Sequence, residues 1–301
     1  MTMRFATLLA ATRPAFLSVT LVGVILGLCT AAADGVFRSS GLAALTLVFA
    51  LVAHAGANVI NDYYDAISGC DAANTERIYP FTGGSRFIQE GRLTQRQTAL
   101  LGYGLLALVI PAGLYLISHS GHALLLIGLC GLTAAWAYSA QPFKLQSRGM
   151  GELTITLAWL AVVMGSDYVQ RNSLSGTPLI AGTAYALLVA NVLFINQIPD
   201  CKADAGSGKK TLIVRLGYSF APMGCAMLYA LAITAVCLGM VLHQLPHAAL
   251  ASLIVIFPAI YSVAKLHKSP TDRTMLSRII PLTIMTTLLF GMVLSLSLLI
   301  D

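Results

Sequence analysis

Residues 176–197 read GTPLIAGTAYALLVANVLFINQ, an apolar stretch that contains no Asp, Glu, Lys or Arg. As an α-helix this stretch would extend about 33 Å, enough to cross the hydrocarbon core of a bilayer, which is roughly 30 Å thick. Because that core offers no water to unpaired backbone groups, such a run favours a helix. The sequence therefore predicts a transmembrane helix that ends just before two acidic residues, Asp200 and Asp204.

The composition of the whole chain agrees with this local pattern. Its 301 residues are 57% hydrophobic and 10% charged, and the mean hydropathy is +0.80. Soluble domains carry about 25% charged residues, so these few charges cannot cover a water-soluble fold. The composition therefore predicts a protein embedded in the lipid bilayer.

Similar apolar runs recur along the sequence and predict nine transmembrane helices. The first run is expected to be a retained span rather than a cleaved signal peptide. The sequence thus predicts an all-α, multi-pass bundle that forms one domain over residues 1–301. The predicted spans are 14–32, 41–60, 97–118, 122–140, 150–168, 176–197, 219–241, 247–265 and 279–299.

The basic residues are distributed very unequally between the two sides of this predicted bundle. Sixteen Lys and Arg residues fall on one side, and only Arg38 and Arg171 fall on the other. Because cytoplasmic loops are enriched in Lys and Arg, this places the N-terminus and the charged loops in the cytoplasm and the C-terminus outside the cell (inner) membrane. Asp34 and Asp167 are then expected in short external loops, where their removal should be close to neutral.

An acidic cluster follows the second predicted span, and the sequence places it in the long cytoplasmic connection 61–96. Asn61 and Asp65 are four residues apart and Asp62 and Asp65 are three apart, so on a helix their oxygens would converge on one side. Asn58 precedes this group, and Asp71 follows it.

A second cluster, Asn196, Asp200 and Asp204, follows the sixth span and enters the cytoplasmic connection 198–218. The two clusters lie four helices apart and therefore on the same side of the membrane. Carboxylates gathered in one half-dry cavity repel each other unless cations neutralise them. Oxygen-only ligands favour Mg²⁺, whereas zinc would require His or Cys. The six cysteines form no CxxC pair and are interpreted as small buried hydrophobic residues.

Basic residues on the same side complete the pattern expected of a diphosphate site. Arg binds phosphate oxygens in a bidentate manner, whereas Lys acts as a point charge. Glycines at 83, 84 and 208 allow the backbone to approach a ligand closely. The candidate diphosphate-binding residues are Arg77, Arg86, Lys144, Lys209, Lys210 and Arg215.

Over essentially its whole length the chain resembles the UbiA superfamily of intramembrane prenyltransferases. The motif NDYYD at 61–65, followed by Gly69 and Asp71, resembles the first aspartate motif of the branch that prenylates dihydroxynaphthoate in menaquinone synthesis. Residues 200–217, with GKKTL at 208–212 and RLG at 215–217, resemble the second motif. The stretch 138–152 resembles the conserved loop between the fourth and fifth helices.

The resemblance implies a prenyltransferase that uses Mg²⁺, an isoprenyl diphosphate and a small aromatic acceptor, and no feature points to nucleic acid. It implies that the residues holding Mg²⁺ are Asn61, Asp65, Asp200 and Asp204, assisted by Asp62 and Asp71. Arg86, Lys144 and Lys210 would bind the diphosphate. Asp65, Asp200 and Lys144 are the candidate catalytic residues, and the candidate substrate-binding residues are Asn58, Tyr138 and Asn196.

An allylic cation formed in this reaction would be stabilised by aromatic faces, for which Tyr138, Trp136, Trp159 and Tyr185 are the candidates. Two positions depart from the resemblance. Pro199 stands where menaquinone-type relatives often have Arg, and Ser139-Ala140-Gln141 replaces a Gly-rich step.

Other functions remain compatible with parts of the sequence. An intramembrane terpene cyclase of the same superfamily would share the acidic motifs. A secondary transporter would usually place ionisable residues near mid-membrane, where the predicted spans have almost none. A soluble isoprenyl diphosphate synthase is excluded by the hydropathy.

Overall fold

A computed structural model describes residues 5–300, and all regular structure in this part of the chain is helical. Short 3₁₀ turns at Pro14–Phe16, Leu145–Arg148, Tyr218–Phe220 and His247–Ala249 join some of the helices. The α-helices are α1 (Phe5–Ala11), α2 (Leu17–Ala33), α3 (Ser40–Ile67), α4 (Cys70–Ala73), α5 (Gln95–Ser120), α6 (Ala123–Ala137), α7 (Gly151–Arg171), α8 (Gly176–Gly206), α9 (Leu212–Leu216), α10 (Ala221–Val241), α11 (Leu250–Ile254), α12 (Pro258–Lys268) and α13 (Arg273–Ser297).

Eight helical segments within residues 5–300 are long and apolar enough to cross a membrane, which confirms an all-α, multi-pass architecture. They coincide with eight of the nine predicted spans. The remaining prediction, 122–140, corresponds to α6, which has 15 residues and rises only about 22 Å. Since that is less than the thickness of the hydrocarbon core, the count of nine spans stays a prediction.

Side chains at the helix starts satisfy backbone N–H groups that have no partner inside the helix. The Ser39 hydroxyl accepts a hydrogen bond from the Leu42 amide at the start of α3. Thr94 and Gln97 form a reciprocal capping box at the start of α5. At the start of α13, the Asp272 carboxylate accepts from two backbone amides. These caps fix where the helices begin after the loops.

Helix α8 occupies the centre of the bundle and packs against α2, α7, α10 and α13. Its side chains Tyr185, Leu188, Phe194 and Ile195 are at most 1% exposed. The Tyr185 hydroxyl donates to the Val19 carbonyl at 2.6 Å, which ties α8 to α2. This central position holds the second acidic motif rigidly at the end of the most buried helix.

The two acidic motifs lie on helices, which corrects their predicted placement in loops. Helix α3 continues to Ile67 and helix α8 continues to Gly206, so Asp62 and Asp65, like Asp200 and Asp204, belong to helical turns. The predicted helix ends were placed where the sequence stops being apolar. The backbone hydrogen bonds of α3 and α8 continue beyond those points, because the polar side chains there have partners in the fold. The helices therefore fix the direction in which these carboxylates point.

The expectation of an exposed Asp167 in an external loop was also wrong. Helix α7 continues to Arg171, so Asp167 lies in its last turns and is 1% exposed. It accepts hydrogen bonds from Thr30 at 2.8 Å and from the Arg171 guanidinium at 2.8 Å. Asp34 follows α2 and binds the same guanidinium at 2.6 Å. These contacts lock α2 to α7 at the predicted outer end of the bundle.

Candidate functional site

A cavity of about 400 Å³ lies among α2, α3, α5, α6, α7 and α8. On α3 its lining runs from Thr46 to Asp65, which corresponds to about 28 Å of helix rise. One end is polar and the other is apolar. The polar end is lined by Arg13, Asn58, Asn61, Asp65, Asp71, Asn74, Asn196, Asp200, Asp204 and Lys209, and the apolar end by Val109, Leu116, Ile117, Leu124, Ile127, Leu132, Val162 and Val169.

Lys209 joins the two acidic motifs. Its ammonium lies 2.9 Å from Asp65 Oδ1 and 3.4 Å from Asp204 Oδ1, and all three side chains are at most 12% exposed. Burial alone would lower the pKa of Lys209, but the charges of Asp65 and Asp204 outweigh it and hold that pKa well above its ordinary value. Lys209 is therefore a fixed positive charge between the motifs.

The loop that follows α4 covers the second motif. Asn74 donates to Asp200 Oδ1 at 2.6 Å, and the Gly83 amide donates to the other carboxylate oxygen at 3.3 Å. On the first motif, the Ser85 amide donates to Asp62 Oδ2 at 3.1 Å. Because one loop binds a carboxylate of each motif, it sets the spacing between α3 and α8 at the cavity mouth.

Gly84 in this loop lies against two carboxylates. Its φ is +68°, and a β-carbon added there would lie 2.7 Å from Asp71 Oδ2 and 3.0 Å from Asp62 Oδ1. That Asp71 oxygen is buried and has no hydrogen-bond partner among the described residues. Burial, followed by the charges of Asp65 and Asp62, raises the pKa of Asp71 to about 8. Only glycine fits the backbone conformation and the space at this position.

Two asparagines of α3 connect the cavity wall to neighbouring segments. Asn61 donates to Asp65 Oδ2 at 3.0 Å and to the Ser139 hydroxyl at 3.1 Å, which links the first motif to the loop after α6. Asn58 donates to the Thr12 carbonyl at 3.1 Å and so holds the segment before α2. The side-chain amides of Asn61 and Asn58 thus tie α3 to the loop after α6 and to the segment before α2.

The structure places five of the predicted diphosphate-binding residues outside the cavity lining, so their roles remain predictions. Arg86 donates to the Asp71 carbonyl at 2.5 Å and thereby shapes the loop over the site. The Arg77 carbonyl accepts from Arg273 at 3.0 Å.

The other three lie together on the far side of the loop after α6. Lys144 is half-buried, with a φ of +43°, whereas Lys210 and Arg215 are exposed. The Lys210 amide donates to the Ser147 carbonyl at 3.0 Å, and Arg215 Nε donates to the Lys210 carbonyl at 2.9 Å. None of the three lines the cavity.

Arg13 lines the cavity, although the sequence analysis counted it only as a cytoplasmic charge. Its side chain is 18% exposed and its guanidinium lies 3.8 Å from Asp62 Oδ1. Its φ is +57°, an uncommon conformation for a residue with a side chain. The sequence signal for this residue was an Arg-Pro pair at the start of the first span. The acidic motifs that Arg13 approaches lie far away in the sequence, so the pair alone did not predict the contact.

The middle of the cavity carries aromatic and hydroxyl groups. Tyr138 and Trp159 line it, and His54 packs its ring edge against Trp159 with ring centroids 5.0 Å apart. Tyr185 and Trp136, also expected beside the reacting cation, do not line the cavity. Trp136 packs against Phe143 at 5.7 Å instead. Of the four aromatic residues expected beside the cation, Tyr138 and Trp159 therefore line the cavity, together with Phe16, Phe49 and Phe81.

The donor set at the polar end fits a hard cation such as Mg²⁺. Within residues 5–300 no three His, Cys, Asp or Glu side chains form a preassembled metal site. Mg²⁺ needs only one or two carboxylates, because waters and substrate phosphates complete its coordination. Buried oxygens of Asp62, Asp71 and Asn196 lack partners among the described residues. Such unpaired oxygens are the ligands that Mg²⁺ prefers.

Comparison with known proteins gives one consistent result. Residues 16–297 match the sequence profile of the UbiA prenyltransferase family. The chain is 32% identical to the 1,4-dihydroxy-2-naphthoate octaprenyltransferase of Escherichia coli over 68% of this chain and 67% of that protein. It is 29% identical to the Bacillus subtilis enzyme of the same name over 73% and 69% of the two chains.

A solved structure of a UbiA homolog from Archaeoglobus fulgidus, bound to DMAPP and Mg²⁺, has the same fold. It aligns with a TM-score of 0.67 over 96% of this chain and 99% of that one, at 16% identity. At this identity the similarity shows the fold alone.

Proposed function

Because the chain belongs to the UbiA prenyltransferase family, we propose that it transfers the prenyl group of an isoprenyl diphosphate to an aromatic acceptor in a Mg²⁺-dependent reaction. The proposed acceptor is 1,4-dihydroxy-2-naphthoate or a similar ring used in quinone biosynthesis, because the E. coli and B. subtilis relatives carry the name of that acceptor. The proposed location is the cell membrane, with the polar end of the cavity at the cytoplasmic face.

The cavity itself is the observation that carries this proposal. Both aspartate motifs and Lys209 converge at its polar end, whereas its other end is lined by aliphatic side chains. A molecule with a diphosphate head group and a hydrocarbon tail matches the polar and apolar ends of the cavity. A purely polar or purely apolar ligand would leave half of the lining unmatched.

The residues proposed to hold Mg²⁺ are Asn61, Asp65, Asp200 and Asp204, with Asp62 and Asp71 beside them. When bound there, Mg²⁺ would neutralise the diphosphate oxygens and so make the diphosphate a better leaving group. Lys209 and Arg13 add positive charge at the same end of the cavity. Charges held rigidly in a half-dry site stabilise a departing anion more strongly than they would in water.

The remaining residues of the cavity would control the allylic fragment after the diphosphate departs. The faces of Tyr138 and Trp159 would stabilise its positive charge. Apolar walls such as Leu116 and Val169 exclude water, so an aromatic ring carbon becomes the available nucleophile. The residues thus favour carbon–carbon bond formation over hydrolysis.

Assay of the purified protein in detergent tests this proposal directly. The reactions contain Mg²⁺, a series of prenyl diphosphates and either 1,4-dihydroxy-2-naphthoate or 4-hydroxybenzoate, and products are identified by mass. Transfer predicts a prenylated ring and one diphosphate released for each ring. A hydrocarbon product formed without acceptor would identify a cyclase instead. If no donor released diphosphate, both proposed activities, prenyl transfer and cyclisation, would be rejected.

A further inference from the structure

Two buried polar residues form a pair in the cavity wall that the proposed mechanism does not use. Glu152 lies in the first turn of α7, and Gln197 lies on α8. Gln197 Nε2 donates to Glu152 Oε1 at 2.6 Å, and the two residues are 6% and 7% exposed. Gln197 also lines the cavity.

The contact with Glu152 fixes the orientation of the Gln197 amide. In the structure the Gln197 NH₂ group donates to Glu152, so the Gln197 carbonyl oxygen is the atom left for another partner. The Gln197 carbonyl oxygen is buried and has no partner among the described residues, and the same is true of Glu152 Oε2. Of the pair, Gln197 lines the cavity, and its free carbonyl offers a hydrogen-bond acceptor there. An unpaired buried acceptor is costly unless a ligand satisfies it.

The pair lies just beyond the acidic end of the cavity. Gln197 precedes Asp200 by three residues, so the two side chains share a face of α8 about 4.5 Å apart along the helix axis. Since α8 runs toward its acidic end, Gln197 lies deeper than Asp200, on the side of the apolar lining. A group bound here would adjoin the reacting end of a prenyl diphosphate.

The chemistry of the pair selects among the ligands. A diphosphate is anionic and accepts hydrogen bonds, so acceptor-only groups repel it. A prenyl chain has no polar hydrogen. A hydroxyl on an aromatic ring donates a hydrogen bond and satisfies the carbonyl. We propose that Gln197, held in position by Glu152, binds a ring hydroxyl of the aromatic acceptor and so selects hydroxylated rings, an inference that rests on the proposed function.

The proposed contact would assist the reaction as well as select the acceptor. Donation of the hydroxyl hydrogen to Gln197 increases electron density in the ring at the neighbouring carbon. That carbon forms the new bond to C1 of the prenyl group as the C1–O bond breaks and its electron pair leaves with the diphosphate. The ring carbon then releases its proton to the departing diphosphate, or its carboxylate as CO₂. Gln197 is the contacting residue, and Glu152 is a positioning residue.

The test compares Gln197→Met with the wild-type protein, using a hydroxylated acceptor and its O-methyl ether. Methylation removes the hydroxyl hydrogen that would be donated to Gln197. Dividing the acceptor preference of the wild type by that of the variant cancels the intrinsic reactivity of each ring. We expect the wild type to prefer the hydroxylated ring by about tenfold or more over the ether, and Gln197→Met to lose most of this preference. The KM of the prenyl diphosphate should stay within about twofold. Glu152→Gln should show a smaller loss of the same kind.

A matched control is Asn191→Leu, since Asn191 is also buried on α8 and its amide has no hydrogen-bond partner within residues 5–300, but it does not line the cavity. It should keep the wild-type acceptor preference. Binding of a prenyl thiodiphosphate with Mg²⁺ verifies that each variant is folded. Equal use of the hydroxylated ring and its ether by the wild type, with diphosphate released, would overturn this inference while leaving the proposed function intact. No release by the wild type with any acceptor would reject the proposed function instead.

Discussion

Lys209 and Asp65 are 144 positions apart in the sequence, yet the Lys209 ammonium lies 2.9 Å from Asp65 Oδ1. The same ammonium is 3.4 Å from Asp204 Oδ1, so one charge connects α3, α8 and the segment after α8. Buried carboxylates repel each other, and Lys209 offsets that repulsion. This pairing links the stability of the cavity mouth to its charge balance.

Replacing Lys209 with Met should destabilise the protein most strongly in metal-free buffer. The variant leaves two buried carboxylates without their counter-charge, which typically costs about 3–5 kcal/mol. Added Mg²⁺ should raise the thermal midpoint of Lys209→Met more than that of the wild type. The control is Lys202→Met, because Lys202 is 71% exposed in its pair with Glu76 and should contribute little. Equal midpoints for the two variants would contradict the role assigned to Lys209.

Asp65→Asn and Asp200→Asn should each remove nearly all turnover, even at saturating substrate. Each change removes a charge that would act mainly as the diphosphate departs, so kcat should fall rather than KM alone rise. Excess EDTA should have the same effect on the wild type, and Mg²⁺ should reverse it. Glu90→Gln is the matched control, since the Glu90 side chain is 46% exposed and its carboxylate lies 3.9 Å from the Arg92 guanidinium, in an exposed pair. Near-normal turnover of Asp65→Asn would refute the proposed site.

Asp167→Ala should lower stability without changing the affinity for substrates. Asp167 is 1% exposed, so its loss removes the acceptor of Arg171 Nε and the hydrogen bond from Thr30 that joins α2 to α7. We expect a cost of about 3 kcal/mol, detected as a lower thermal midpoint in detergent. Glu76→Ala, which breaks an exposed ion pair, should shift the midpoint little. If Asp167→Ala shifted the thermal midpoint as little as Glu76→Ala, the contacts of Asp167 with Thr30 and Arg171 would contribute little to stability.

Residues near the acidic end should be accessible from the cytoplasm. Tyr79→Cys and Leu174→Cys are suitable reporters, because the wild-type side chains are 78% and 65% exposed and lie at opposite ends of the bundle. In a background where the exposed Cys130 is replaced with Ser, an impermeant thiol reagent added to intact cells should label only the Leu174→Cys protein. Labelling of the Tyr79→Cys protein alone would show the opposite membrane orientation and contradict the proposed topology.

The sequence predicted the class of fold and the two motifs because both depend on local patterns. Hydropathy located the spans, and acid spacing identified groups that converge on a helix. Hydropathy placed the ends of the second and sixth spans too early, and so assigned these groups to the connections, because the chain stops being apolar several residues before α3 and α8 end. Hydropathy reports the contact with lipid, whereas backbone hydrogen bonds set the helix ends.

Contacts between distant segments were the least predictable part of the site. All of α2 and most of α3 separate Arg13 from Asn61 in the sequence, so its place in the cavity follows only from packing. Asp167 was mistaken for an exposed loop residue because its partners, Thr30 and Arg171, are visible only once α2 and α7 pack together. Gln197 was not a candidate in the sequence analysis, because its contact with Glu152 depends on the packing of α7 against α8.

Gly84 limits how the gene for this protein can vary. Every missense change at its codon adds at least one carbon between the Asp71 and Asp62 carboxylates, at a backbone conformation that other residues rarely adopt. At Gly104, on α5, a β-carbon would meet no atom of another described segment within 4 Å, so alanine fits there and favours the helix. In a population of random variants whose growth requires the protein to make its product, missense alleles of codon 84 would disappear while alanine alleles of codon 104 persist.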